Sequence, residues 1–266
     1  KGIEAFRSGM KGGTVFMGGV FGPSIGVVDA MRIGGDVGAR WDGSKANIHA
    51  GERDRYHGCG NILRAAGSTL NTIFMNKRFW VNDSDYLIVR DDRSELSLSE
   101  AQLWATVTGF YGGYVILGDQ METLSQPRLE ILKKTFPICD FKAVPVDFLK
   151  KEIPEILSAD VDNANDHWKI VALFNYSDDS AVKTLSFADI SLDSSKEYHV
   201  FGFWRQKYHG VFMNSFSIPL EAHSCEIIAI RENKNIPQVL GTDLHITQGG
   251  IELDSYEFVD NTLKIK

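Results

Sequence analysis

Arg32 and Asp36 flank Gly34-Gly35 in the run DAMRIGGD, Asp29 to Asp36. Placed at the end of a strand, the two glycines let the chain turn so that the guanidinium and the carboxyl group converge. In parallel α/β folds the carboxyl ends of the strands carry the site. A carboxylic acid beside an arginine in a cleft is suited to proton transfer to a leaving oxygen. On spacing alone, such a pair is more often a salt bridge. A second run, Trp80-Val81-Asn82-Asp83-Ser84-Asp85, sets two acids inside an otherwise apolar strand. Buried carboxylates cost several kcal/mol unless they are paired or face a polar cleft, so Asp83 and Asp85 mark either a strand-end cap or a site. As a metal site the pair lacks the glycine and distal glutamate of a calcium loop.

Other constellations lead less far. Gly22-Pro23-Ser24-Ile25-Gly26 matches the G-x-S-x-G turn that lifts a nucleophilic serine above a sheet. The β-branched run that follows is not the helix such a turn should open, and Pro23 would sit within it, so a simple turn fits better. His49, His57 and Cys59 have no zinc-ligand spacing. Gly12-Gly13 and Gly18-Gly19 lack the Gly-Lys-Ser/Thr ending of a phosphate-binding loop, and no G-x-G-x-x-G occurs.

The elements that must position these residues follow from periodicity. Val15–Val20 and Val27–Ile33 read as strands, Asn61–Met75 as a helix, and Phe79–Val89 as a further strand. A helix opens at Leu98, with Ser97 or Ser99 as cap and Leu103, Trp104, Val107 and Phe110–Tyr111 as its buried stripe, and Gly112-Gly113 ends it. Tyr114–Leu117 is a short apolar run of strand length. After a helix over Arg128–Lys134, three prolines punctuate an irregular stretch. From His167 the texture changes to short β-rich runs (Trp168–Tyr176, Val182–Phe187, Tyr198–Trp204, Phe216–Leu220, Cys225–Arg231) separated by polar turns, as in an antiparallel sandwich. The predicted organisation is thus α/β over residues 1–160, followed by a β-sandwich over residues 161–266.

Composition narrows the partners. The 266 residues carry 28 Lys+Arg against 35 Asp+Glu, a formal net charge of −7, with no basic block, which disfavours nucleic acid and anionic membranes. No apolar run approaches the ~18 residues of a membrane span. Three widely spaced cysteines, Cys59, Cys139 and Cys225, read as reduced thiols and fit a cytoplasmic setting better than an oxidising one. A neutral small ligand fits this balance best. The chain starts at Lys1 without a methionine or a signal-like apolar segment.

Taken together and in order, four segments resemble one family: PSIGVVDAMRIGGDVGARW (23–41), FWVNDSDYLIVR (79–90), LSEAQLWATVTGFYGG (98–113) and LGDQMETL (117–124). They are similar to the carboxyl-terminal part of the (β/α)8 barrel of α-galactosidases, glycoside hydrolase family 36, and less closely to family 27 of the same clan. FNYSDD, YHVFGFW, LEAHSCEIIAI and LGTDLHITQGG in the remaining chain are similar to the β-sandwich that follows that barrel. The resemblance implies Asp36 as acid/base catalyst, Arg32 as a contact to the sugar, Asp85 as a supporting acid, and Trp41 and Trp80 as apolar walls. It implies an α-galactoside oligosaccharide as substrate and no metal or organic cofactor. Met17-Gly18-Gly19 stands where the family often has a cysteine–glycine pair.

A barrel of this type takes ~250 residues and eight strands, and about three strands are visible before residue 140. The resemblance therefore implies that the nucleophile, and the aspartates that read the sugar, fall outside this sequence. On that expectation the chain is an amino-terminally truncated piece, inactive and marginally stable by itself. Transfer of galactose to a sugar acceptor, as raffinose synthases perform, is the enzymatic alternative. The other is a carbohydrate-binding or structural module in which Trp168, Trp204 or Tyr208 stack on sugar, although core positions suit these aromatics better.

Overall fold

The computed structural model describes residues 1–42, 60–163 and 166–266. After a short helix, α1 (Gly2–Gly9), come β1 (Phe16–Gly18), β2 (Ala30–Arg32), α2 (Ile62–Asn71), β3 (Val81–Leu87), α3 (Leu98–Tyr111), β4 (Tyr114–Leu117) and α4 (Gln126–Thr135). The four strands form one sheet in the order β1-β2-β3-β4, with every neighbouring pair parallel. Phe16, Ala30 and Val81 lie in one row, and Arg32, Asp83 and Tyr114 in the next, all on one face. The rings of Phe16 and Tyr114 stand 6.1 Å apart although two strands separate them, so the sheet is strongly curled and this face is concave. Curling of this kind belongs to a barrel wall. Among the described residues the wall has four strands, the fourth being the short apolar run Tyr114–Leu117.

The second layer is an antiparallel sandwich. β5 (Val144–Pro145), β6 (Ile156–Asn163), β7 (Asp166–Asn175), β9 (Tyr198–Gly202), β10 (Lys207–Phe212) and β12 (Ser224–Glu232) form a six-stranded sheet in the order β10-β9-β12-β7-β6-β5. β8 (Ala181–Ser186) pairs with β11 (Ser215–Leu220) to cover it, and a terminal hairpin joins β13 (Tyr256–Val259) to β14 (Thr262–Ile265). The larger sheet takes in β5 and β6, so its first strands precede residue 161.

The two layers share a core. Val171, Leu173, Ile228 and Ile230 face Leu185, Phe187, Phe216 and Ile218 inside the sandwich. The alternate residues of the same strands, Ile170, Ala172, Phe174, Ile227 and Ala229, pack against Leu103, Trp104, Val107 and Phe110 of α3. Burial on both faces explains why β12 reads as the continuous apolar run IIAI rather than as an alternation. It also explains α3, which is buried almost all round between the curled sheet and the sandwich. The ends of α3 are fixed as its sequence requires. Ser97 and Glu100 form a reciprocal capping box, and Gly112 takes the left-handed conformation at φ 62°.

Candidate functional site

Arg32 closes β2 at its carboxyl end, directly opposite Asp83 on β3. Beyond that pair β3 departs from regular alternation. Asp83 faces Tyr114, but the next paired position is Tyr86 with Ile116, so three steps on β3 span two on β4. This is a bulge: one residue too many for its partner strand. The bulged strand is turned at Asp85, whose φ of 76° lies in the left-handed region that aspartate enters more readily than most side chains. Asp83 Oδ1 accepts the Asp85 amide at 2.8 Å and holds the turn.

The bulge aims Asp85 past the end of β2. Its Oδ2 lies 2.7 Å from Arg32 Nη2 and accepts the Val37 amide at 2.7 Å. Arg32 Nη2 also reaches the Gly35 carbonyl at 3.0 Å and Asp36 Oδ1 at 3.1 Å. One guanidinium nitrogen thus ties the strand-end carboxylate, the diglycine turn and the following acid together. The two ion pairs differ in weight. The side chain of Asp85 is 5% exposed, and a buried charge left without its partner costs about 3–5 kcal/mol. Asp36 is 90% exposed, so its pairing with Arg32 contributes at most about 1 kcal/mol and leaves the carboxyl group free to move toward a ligand. Arg32 Nε is buried and has no acceptor among the described residues.

Asp83 is buried as fully as Asp85. Burial pushes its carboxyl above the ordinary aspartate value, against the opposing pull of the Asp85 amide and the Arg32 charge, while the neighbouring Asp85 carboxylate adds to the rise. Asn82 faces the helices and donates to the Thr72 carbonyl at 3.1 Å. The Tyr111 hydroxyl donates to the Asn82 carbonyl, so that β3 is tied to α3 immediately beneath the acids.

Arg32, Asp36 and Asp85 are therefore brought together, and Asp83 joins them as the residue that holds the bulge. The two tryptophans are not brought there. Trp80 precedes β3 at its amino end, roughly 10 Å along the strand from Asp83. It packs with Val15, Val28, Met31 and Phe21 at 4% exposure, on the face turned away from Arg32. Trp41 is 7% exposed and stacks on His223 of the sandwich, with ring centroids 4.2 Å apart and planes 18° from parallel. Both rings are large apolar groups near charged motifs in the sequence, and the core claims them.

The remaining motifs resolve without chemistry. Ser24 is fully buried in a 3-10 turn and donates to the Val20 carbonyl at 2.6 Å, so it presents no nucleophile. Trp168 is buried against the Arg231 guanidinium at 3.5 Å, and Trp204 Nε1 donates to Thr106 at 2.9 Å, which leaves Tyr208 as the exposed ring of the three. His49, His57 and Cys59 lie outside the described residues. Cys139 and Cys225 are free thiols. Among the described residues no three metal-ligating side chains cluster, and no helix is long and apolar enough to cross a membrane.

A curled parallel sheet with acids at its carboxyl edge is joined through one buried helix to an antiparallel sandwich. The comparisons find the same fold in solved α-galactosidases. Residues 155–230 match the alpha galactosidase C-terminal beta sandwich domain. Among solved structures, α-galactosidase I from Mortierella vinacea aligns with a TM-score of 0.57 at 18% identity, covering 77% of this chain and 53% of that one. The α-galactosidase from Saccharomyces cerevisiae, solved with raffinose, aligns at 0.56 and 14% identity, covering 78% and 60%. A family 27 β-L-arabinopyranosidase from Geobacillus stearothermophilus aligns at 0.58 and 13% identity, covering 77% and 46%. The chain spans about half the length of the structures it matches.

Proposed function

We propose that this chain carries the acid/base side of a retaining glycosidase that removes terminal α-galactosyl residues from oligosaccharides. The observation that carries the proposal is the Arg32–Asp36–Asp85 constellation at the carboxyl ends of parallel strands. In it the exposed Asp36 is anchored by a guanidinium that is itself held by a buried carboxylate. The α-galactosidase-like fold supports the substrate class.

Three roles follow for the residues. Asp36, as the acid, gives its proton to the glycosidic oxygen and then takes one from water. Arg32 keeps that carboxyl group over the strand ends, and its guanidinium, on a side chain 21% exposed, is the contact to the sugar. Asp85 fixes Arg32 and the Val37 amide. Committed to both by the same oxygen and 5% exposed, it is poorly placed to attack an anomeric carbon. A retaining reaction needs a second carboxylate about 5 Å from the acid, and we assign that role to a residue beyond these four strands.

Hydrolysis of a chromogenic α-galactoside tests the proposal, by this chain and by a version extended upstream. We expect activity in the extended version only, falling about 10²- to 10⁴-fold in Asp36→Asn with sugar binding retained. Undiminished hydrolysis by Asp36→Asn would overturn the assignment, and activity in the 266-residue chain would place the nucleophile within it.

A further inference from the structure

The sandwich reaches the acid/base loop through one aromatic stack. From Ile33 to Trp41 the chain runs outward from β2, and its course is fixed at intervals. Asp85 holds the Val37 amide, and the Ala39 carbonyl accepts the Glu95 amide at 2.9 Å. The carbonyls of Arg40 and Trp41 accept the first amides of α2, at 3.0 and 2.9 Å. At the outer end Trp41 lies flat on the His223 imidazole, with Tyr176 in a more distant parallel stack at 6.5 Å. His223 and Tyr176 both belong to the sandwich, in the turns after β11 and β7.

His223 is itself immobilised more firmly than packing requires. Its backbone has φ 49°, in the left-handed region, and its amide donates to the Ser177 carbonyl at 3.3 Å. Nδ1 lies 2.9 Å from Glu100 Oε1 and Nε2 lies 2.7 Å from Asp178 Oδ1, so the ring is gripped on both edges while its face bears on Trp41. The grips are unequal. Asp178 is 89% exposed and holds weakly, whereas Glu100 is 10% exposed and already engaged through Oε2 in capping α3. The imidazole thereby joins three separate parts: the sandwich turn, the amino end of α3, and the end of the loop that carries Asp36.

We propose that His223 is a positioning residue, through which the sandwich sets the placement of the Asp36 loop by way of Trp41. The inference rests on the glycosidase assignment for its catalytic meaning, but the brace itself does not. It gives the sandwich a task other than sugar binding, for which its buried tryptophans are unsuited.

Two measurements decide the matter, on His223→Asn, which accepts the left-handed backbone but removes the aromatic face, and His223→Phe, which restores the face without the grips. Amide hydrogen exchange on the 266-residue chain reads the brace. We expect residues 37–41 to exchange at least tenfold faster in His223→Asn, with β7 and β12 unchanged and with partial recovery in His223→Phe. Unchanged exchange, or acceleration spread evenly over the sandwich, would overturn the brace.

The second measurement is the ratio of kcat/KM for an aryl α-galactoside with a good leaving group to that for an α-galactosyl disaccharide, in the upstream-extended version. A displaced acid penalises the disaccharide more, because only the poor leaving group needs the proton. We expect the ratio to rise about tenfold in His223→Asn, whereas general loss of structure lowers both rates together. An unaltered ratio would overturn the positioning role. An inactive wild type would overturn the glycosidase assignment instead, and the exchange result would still decide the brace.

Discussion

Asp85 and Val37 are 48 residues apart, yet Asp85 Oδ2 accepts the Val37 amide at 2.7 Å from within a bulge. The same oxygen holds Arg32, so one buried carboxylate fixes both the start of the loop that carries Asp36 and the guanidinium beneath it. Asp85→Ala leaves Arg32 without its close partner and the Val37 amide without an acceptor. We expect a loss of about 3 kcal/mol in urea unfolding, and Asp85→Asn, which keeps an acceptor oxygen, to lose less. Equal stability in all three would show that the pair is balanced by contacts elsewhere.

Gly60 lies against the turn that carries Asp36. A Cβ at this position would fall on the carbonyl oxygen of Asp36, which is backbone and cannot swing aside. Gly60→Ala should therefore cost about 1–3 kcal/mol through forced displacement of the loop. In the upstream-extended version it should lower α-galactoside hydrolysis without touching an ionisable group. Thermal unfolding and the chromogenic assay check the two effects separately.

Trp80 offers a contrasting case. Its ring is buried among apolar neighbours, and its Nε1 has no acceptor among the described residues. Trp80→Phe removes an orphaned donor along with some packing, so the expected cost is small, about 1 kcal/mol, with KM for galactosides unchanged. A KM raised tenfold would return Trp80 to the sugar site.

Glu226 governs a pH dependence within the sandwich. Burial pushes its carboxyl from 4.5 up to about 7, opposed by the amides of Trp204 and Ile227 and by Arg205. A raised carboxyl favours the protonated fold, so its stabilising contribution is complete below the ordinary value and is lost as pH rises through about 7. The loss is on the order of 3 kcal/mol. Glu226→Gln cannot titrate. The difference in urea midpoint between variant and wild type should therefore move in the variant's favour between pH 5 and pH 8, and a constant difference would refute the shift.

The sequence discloses elements better than it discloses their company. Ser97, Glu100 and Gly112 announce both ends of α3, because caps are local chemistry. Arg32 and Asp36 converge as their diglycine spacing implies, since a separation of four positions leaves few alternatives. Trp41 and Trp80 are misplaced by the same reasoning, because whether a ring near a charged motif faces a cleft or a core depends on packing partners far along the chain. His223, 182 positions after Trp41, shows this plainly. Asp83 was visible as an acid in an apolar run, but its work in holding a bulge was not, since period-2 alternation treats Asp83 and Asp85 as equivalent. No local signal marks Glu226 either, because its burial comes from strands on both sides.

The bulge in β3 also divides that strand into two independent phases. Before it, side-chain parity is set by pairing with β2; after it, parity is counted afresh against β4, which places Tyr86 in register with Ile116. The acidic segment and the apolar segment that follows can therefore vary separately, like two words divided by a space. A substitution in either leaves the other's facing intact, whereas deletion of the single extra residue would merge the two phases and turn one of them to the wrong side of the sheet.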